Sequence, residues 1–485
     1  MGTVETGRRI RATPVAVFLV AAGASVALSA SVASGPVILD GRWGILAELA
    51  LWGLLWVAAV AATRRLPTRL ALGMVLGAGL ALRLAALAGP PVTSDDLYRY
   101  AWDARVQAAG INPYLHPPAS DELAGLRESW LWPDETGCAE IDRPPGCTRI
   151  NRPAVPTIYP PLAQSWFAVV AALGPDNARH TTWQVAGLAT EVGVLALLPV
   201  ALGRWGGDRR WSALYALCPA PVLEIVQNGH VDGLAILLVL GALCVVAPTG
   251  RSAQAHLVSR APSWRHFGAG ALIGAAAMVK LYPAVVIPAL VAVGIGRRLP
   301  VLARACAGAL AVAVVAYLPH VLAVGWRVLG YLPGYLEEED YAEGGRFLIA
   351  TALGLPPVAG GALSLIAVVG VGGWVLFRRP SPPVGAAVLL GALLLATSPV
   401  QTWYGVALLA VATLAGRPWW AAVVVAAYPY YFAVILDQPQ AVGLGRIAYG
   451  TALVVVVASV ASSSRTLLPS TSPRRPASPG SATMG

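Results

Sequence analysis

Apolar stretches flanked by arginine recur along the whole chain, and each is measured against a membrane span of roughly 17 to 25 residues. The first, Arg11 to Ser34, follows Arg8, Arg9 and Arg11, which sets the N-terminus in the cytoplasm. Its short apolar core and the Ala-Ser-Val-Ala stretch around Ser31 also fit a cleavable signal peptide, an alternative that leaves the later topology unchanged. Trp43 to Ala62 returns to Arg64, Arg65 and Arg69, and Ala71 to Gly89 crosses outward again, placing Ser94-Asp95-Asp96 just outside the membrane. Further on, Arg204/Arg209/Arg210, Arg251/Arg260/Arg265, Arg297/Arg298/Arg304, Arg378/Arg379 and Arg417 separate the apolar segments. All of them fall in the cytoplasm if Pro160 to Gly174, headed by Tyr-Pro-Pro, dips into the membrane edge without crossing.

These spacings predict an all-α polytopic membrane protein with about 12 to 14 spans, several short and proline-broken, and both termini inside. Residues 1–461 form one membrane domain, with a large outer loop at 90–159 after the third span and a second at 326–346. Residues 462–485, rich in Ser, Pro and Arg, are expected to be a disordered cytoplasmic tail.

Composition narrows the class. With 57% apolar and 12% charged residues, the chain is neither an ordinary soluble domain nor disordered. Its net charge of +10 comes from basic residues that are all Arg except Lys280, and they set membrane orientation rather than a nucleic-acid surface. Ten of the 24 acidic residues lie between Asp95 and Asp142, in the large outer loop. Cys138 and Cys147 share that loop, where an oxidising exterior favours a disulfide; a metal site is the alternative, but no histidine stands at ligand spacing.

Four polar groups fall on the outer face and rim one expected cavity: Asp95-Asp96, His230-Val-Asp232, Lys280-Leu-Tyr282-Pro and Gln401-Thr-Trp403-Tyr404. A carboxylate pair there can supply a general base and a group to orient a hydroxyl; Ser-Asp-Asp before a helix-like run also fits an N-cap. Lys280 suits a point charge for a phosphate, against simple snorkelling to the interface. His230 and Asp232 can meet across a turn, as a site or as a buried structural pair. Glu337-Glu338-Glu339-Asp340 fits solvated surface, and Arg346 after it fits a second phosphate clamp. Trp403 and Tyr404 fit either sugar stacking or an aromatic interface belt.

Ser94-Asp-Asp-Leu-Tyr-Arg-Tyr-Ala-Trp-Asp103, Gly110-Ile-Asn112-Pro-Tyr114, Tyr159-Pro-Pro, Asn228-Gly-His-Val-Asp232, Lys280-Leu-Tyr-Pro283 and Ser398-Pro-Val-Gln-Thr-Trp-Tyr404 together resemble a GT-C-fold glycosyltransferase. Within that superfamily the chain most resembles the actinobacterial polyprenol-phosphate-mannose-dependent α-mannosyltransferases and glycosyltransferase family 87, over roughly residues 60 to 420. The resemblance implies an inverting hexosyltransferase, mannose foremost, that draws on a polyprenyl-phosphate sugar and serves a cell-envelope glycan, lipoglycan or glycolipid acceptor outside the plasma membrane. It implies Asp95 or Asp96 as the base, and Lys280, with Arg346 or His230, on the leaving phosphate. Asp232, Tyr282, Gln401, Trp403, Tyr404, Asn112 and Tyr159 would bind substrate, the loop around Asn112 closing over the site. No cofactor is implied, neither nucleotide nor obligatory metal, with a divalent cation left open. Many mannosyltransferase relatives carry His-Asn-Asp where this chain has His230-Val231-Asp232, so His230 carries over less safely than Asp95. A multi-pass transporter or lipid flippase is the alternative, and it should show internal repeats, of which the two halves give no clear sign.

Overall fold

The structure, a computed structural model, describes residues 12–38, 42–141, 143–175, 177, 179–248, 263–292, 298–338 and 346–465. Arg8, Arg9, Arg11, Arg251, Arg260, Arg297, Glu339, Asp340 and the tail beyond 465 lie outside these. The described chain is helical, without strands, and eight helices are long and apolar enough to cross a membrane. The protein is a multi-pass all-α membrane protein. Five more apolar helices have only 10–17 residues, among them Asp232–Val245, Pro382–Ala396 and Thr402–Leu414, so the expected count of spans depends on these short pieces.

The bundle has two chemically different ends. At one, guanidiniums cap the carbonyls that helix C-termini leave unpaired. Arg204 donates to Cys244 O (3.2 Å), Arg265 to Val245 O (2.8 Å), Arg298 to Phe377 O (3.4 Å) and Arg210 to Arg64 O (2.8 Å). Midway along the bundle, the Arg83 guanidinium meets Glu191 at 2.6 Å, and the Tyr215 hydroxyl donates to the same carboxylate at 2.6 Å, all fully buried. Two charges are tolerable there because each is paired and hydrogen-bonded.

At the other end the helices break. After Ser212–Ala216 the prolines Pro219 and Pro221 interrupt the ladder, and Val222–Gln227 continues as a π-helical turn. The His180–Arg204 helix touches that turn backbone to backbone at Gly187, where a Cβ would stand 2.1 Å from Ile225 O. Gly229 then reverses the chain at φ +70, a left-handed conformation that favours glycine. The extended segment after the third span has no helix to satisfy its backbone, and side-chain amides do so instead. Gln184 donates to Gly89 O (2.9 Å) and Gln227 to Pro90 O (2.5 Å); Gln227 Oε1 accepts Val92 N–H (3.1 Å) and Asn228 Oδ1 accepts Thr93 N–H (3.3 Å). This lattice delivers the chain to Asp95.

After the third span the Asp96–Ala108 helix runs beside Pro161–Leu173, a 13-residue helix of about 20 Å that is shorter than the hydrocarbon core. Gln164 donates to Asp103 Oδ2 (2.8 Å), Thr157 to the same oxygen (2.6 Å), and Arg99 pairs with Asp103 at 3.0 Å. Cys138 and Cys147 are joined as a disulfide.

Gln227→Met strands the buried Val92 N–H and removes the partner of the partly exposed Pro90 C=O. It is expected to destabilise the detergent-solubilised protein by about 1–3 kcal/mol through the buried N–H, read as a lower thermal unfolding midpoint; an unchanged midpoint would show that the amide lattice does not hold this segment.

Candidate active site

Asp95 occupies the N-cap place of the acidic helix, but its side chain makes no capping bond. Ser94 Oγ accepts the Asp96 N–H instead, at 3.3 Å, which leaves both carboxylates to the site. Asn151 gathers them, donating to Asp96 Oδ1 at 2.7 Å and Asp95 Oδ1 at 3.1 Å. The two then diverge. Asp95 faces Arg143, 4.0 Å away, while Asp96 Oδ2 accepts from the Tyr159 hydroxyl (3.1 Å) and lies 3.9 Å from His230 Nε2.

Their titration diverges accordingly. Removal from bulk water, together with the adjacent Asp96 charge, pushes Asp95 up to about 6. Burial also works to raise Asp96, but His230, Lys280 and the bonds from Tyr159 and Asn151 outweigh it and hold Asp96 below the usual carboxylate range. One member of the pair is near half-ionised at mildly acidic pH and the other stays charged.

Lys280 follows the Ser263–Ala277 helix, where the chain leaves α-geometry for the 3-10 run Tyr282–Ala292. Its ammonium lies 3.7 Å from Asp232 Oδ2 and within 4.9 Å of the Tyr159 ring, 5.6 Å of Tyr404 and 6.0 Å of Trp403. Tyr282 donates to Asp232 Oδ1 at 3.3 Å and packs on Tyr404 at 4.9 Å. Three ring faces and one carboxylate make a desolvated cation tolerable. His230 stacks on Trp403 at 4.1 Å, its Nε2 3.0 Å from Ser94 Oγ and its Nδ1 2.7 Å from Glu224 O. The two halves of His230-Val-Asp232 thus point to different partners, His230 to Asp96 and Asp232 to Lys280, and they do not pair with each other.

The carboxylate pair and Trp403 border a cavity of about 760 Å³; Lys280, His230, Asp232, Tyr159, Tyr282 and Tyr404 are not among the residues that line it, and reach it only through their contacts with Asp96 and Trp403. Its polar wall includes Asp95, Asp96, Asn151, Arg346, Gln401 and Trp403; its apolar wall includes Val37, Ile38, Val92, Val434 and Ile435. Arg346 is fixed there by a hydrogen bond to Pro399 O. Asn112 stands apart, turned toward His320 (3.2 Å), with its own loop tied down by the Tyr114 hydroxyl on Tyr159 O (2.7 Å). The loop therefore braces Tyr159 from behind. Glu338, read from sequence as surface, lines the cavity and chelates Arg152 at 2.7 and 2.9 Å, tying the segment after the third span to the one before Arg346.

Several residues here escape sequence reasoning. Asn151, Arg143 and Arg149 come from the disulfide-clamped loop, and nothing local distinguishes them from ordinary loop residues. Glu224 does carry a signal, a lone carboxylate inside Pro-Val-Leu-Glu-Ile-Val, and it is fully buried behind His230. Among the described residues no group of three His, Cys, Asp or Glu side chains is placed to hold a metal ion.

Compared with known proteins, residues 157–399, half of the chain, match the family model Glycosyltransferase family 87. No curated protein and no solved structure matches.

The divergent carboxylates predict an asymmetric titration. Between pH 7 and 5 infrared difference spectra should show one carboxyl taking up a proton with a midpoint near 6. Asp95→Asn should abolish that band, and Asp96→Asn should move it toward the ordinary aspartate value by removing the neighbouring charge. A band that survives in Asp95→Asn contradicts the assignment.

Proposed function

This chain belongs to glycosyltransferase family 87, and we propose that it moves a hexose, mannose foremost, from a polyprenyl-phosphate donor to a cell-envelope glycan or glycolipid outside the plasma membrane. As a glycosyltransferase embedded in lipid it meets a sugar donor, an acceptor and the bilayer. The observation that carries the finer reading is a cavity bordered by a carboxylate pair and an apolar wall, with a lysine in an aromatic box set 6.0 Å from the Trp403 ring that also lines it.

Each part has a place in a single displacement. A monophosphate fits beside Lys280: Asp232 offsets the ammonium at 3.7 Å without a hydrogen bond from it, so its N–H groups can serve phosphate oxygens. Arg346 supplies a second cation at the cavity wall. As the bond from the anomeric carbon to phosphate breaks, negative charge grows on phosphate, and preorganised cations in a low-dielectric site stabilise it strongly. The acceptor oxygen attacks from the opposite face and inverts the centre. Asp96, flanked by Lys280 and His230, takes the acceptor proton, while Asp95, on the Arg143 side, orients the hydroxyl. Val37, Ile38, Val434 and Ile435 give a prenyl chain an apolar surface beside the polar pocket.

Two features support an outward-facing site. A disulfide lies in the same loop as the carboxylates, and disulfides persist on the oxidising side of a bacterial membrane. Arginines crowd the opposite end of the bundle, as cytoplasmic loops require.

With radiolabelled polyprenyl-phosphate mannose and endogenous membrane acceptors, wild type should form labelled product. Asp96→Asn should lose about 10²-fold or more in turnover, and Lys280→Gln a similar factor through lost phosphate stabilisation. Full activity in both Asp95→Asn and Asp96→Asn would remove the carboxylates from the mechanism, and transfer from a nucleotide sugar alone would remove the lipid donor.

A further inference from the structure

The proposed transfer leaves a buried carboxylate beside the site unused. Glu224 sits on the π-helical turn, fully buried, accepting from the Tyr428 hydroxyl at 2.8 Å and the Asn228 amide at 3.3 Å. Its other neighbour is His230, whose Nδ1 lies 2.7 Å from the Glu224 carbonyl oxygen and 3.6 Å from its carboxylate. A carbonyl oxygen can only accept, so Nδ1 carries the proton. In the neutral ring Nε2 is then the lone-pair nitrogen, and it faces Ser94 Oγ at 3.0 Å and Asp96 Oδ2 at 3.9 Å. The backbone of one residue fixes the tautomer that turns the basic nitrogen toward the site.

Two carboxylates flank that ring. Asp96 faces it from the acidic helix and Glu224 from the π turn; Trp403 covers one face, with Lys280 6.0 Å from that indole ring. Asp96, by contrast, has Lys280, Tyr159 and Asn151 all favouring its ionised state. A carboxylate so placed accepts a proton in the transition state but is a poor group on which to leave it.

We propose that His230 is the second proton acceptor of the transfer, taking from Asp96 the proton of the acceptor hydroxyl, and that Glu224 is the positioning residue that fixes its tautomer and balances the imidazolium. The acceptor O–C bond forms as the C–O bond to phosphate breaks, the electron pair leaving with phosphate. The acceptor proton passes to Asp96 and then to His230 Nε2, which regenerates the Asp96 carboxylate. Imidazolium returns the proton to water when product departs. Each elementary step conserves charge within the cluster.

This relay presupposes the transfer proposed above, so its test includes a readout independent of activity. The chain has six histidines, and nitrogen-15 histidine NMR of the detergent-solubilised protein resolves tautomer and titration, with His230 identified by its absence in His230→Gln. His230 should appear as the Nδ1–H tautomer, and Glu224→Gln should lower its midpoint, the direction set by losing an opposite charge at this range. In the sugar-transfer assay Glu224→Gln should cut turnover at least about tenfold with the donor KM unchanged, and His230→Gln should cut it further. An Nε2–H tautomer, or a midpoint unmoved by Glu224→Gln, overturns the relay. So does a loss of activity that appears only as a raised donor KM, which would make His230 a phosphate ligand. If the NMR signature holds but no lipid-linked sugar is transferred, the relay geometry stands and the assigned reaction falls.

Discussion

Everything at the working end of this protein depends on one constraint: in hydrocarbon, an interrupted helix must have its backbone polar groups satisfied by protein. Here the interruptions are many, and the solution is a set of buried amides and hydroxyls. Gln184, Gln227 and Asn228 serve the segment Gly89–Thr93, Tyr431 donates to Thr93 O at 2.5 Å, and the Tyr449 hydroxyl accepts Val400 N–H at 3.0 Å ahead of Gln401. Each of those bonds fixes a chain segment that ends in a site residue. The polar lattice that makes the breaks tolerable is therefore also what aims Asp95, Asp96 and Gln401 into one cavity and sets His230 against Asp96 and Trp403 at its wall.

Burial then sharpens the electrostatics. Asp95 and Asp96 are neighbours in sequence and share Asn151, yet one is raised to about 6 and the other held low, because one looks toward Arg143 and the other toward Lys280 and His230. Lys280 sits in an aromatic box with Asp232 at its back. A fixed cation and a fixed anion a short way apart, with little water between them, suit a reaction in which a phosphate gains charge while a hydroxyl loses a proton. The disulfide-bearing loop contributes Asn151 and Arg143 to the same arrangement, so a segment with little regular structure holds the carboxylates in register.

Much of this was legible in the chain. Arginine at the ends of apolar runs marks the multi-pass helical fold, and the short proline-broken segments mark the plane where polar groups gather. Lys280 stands out because it is the lone lysine of an arginine-rich chain, and Asp95-Asp96 because they are paired just after a span. What stayed hidden was pairing across distance. Asn151 is 55 residues from Asp96 and looks like any loop asparagine, and Asp232 ignores the nearby His230 for a lysine 48 positions on. Asn112, placed in the site by resemblance, is turned toward His320 because its Asx turn, closed by Tyr114 N–H on Asn112 Oδ1 at 3.2 Å, fixes the side chain away from the cavity. Local pattern reports burial and breaks; it does not report which buried polar group answers which.

The most direct test of the account is a structure of the protein with a phosphonate analogue of polyprenyl-phosphate mannose, in which the scissile oxygen is replaced by carbon. The account predicts phosphonate oxygens on the Lys280 ammonium, the anomeric carbon turned toward Asp96, and the lipid chain along Val434 and Ile435. A phosphonate seated instead against Arg143 and Arg149, with Lys280 still facing only Asp232, would contradict it.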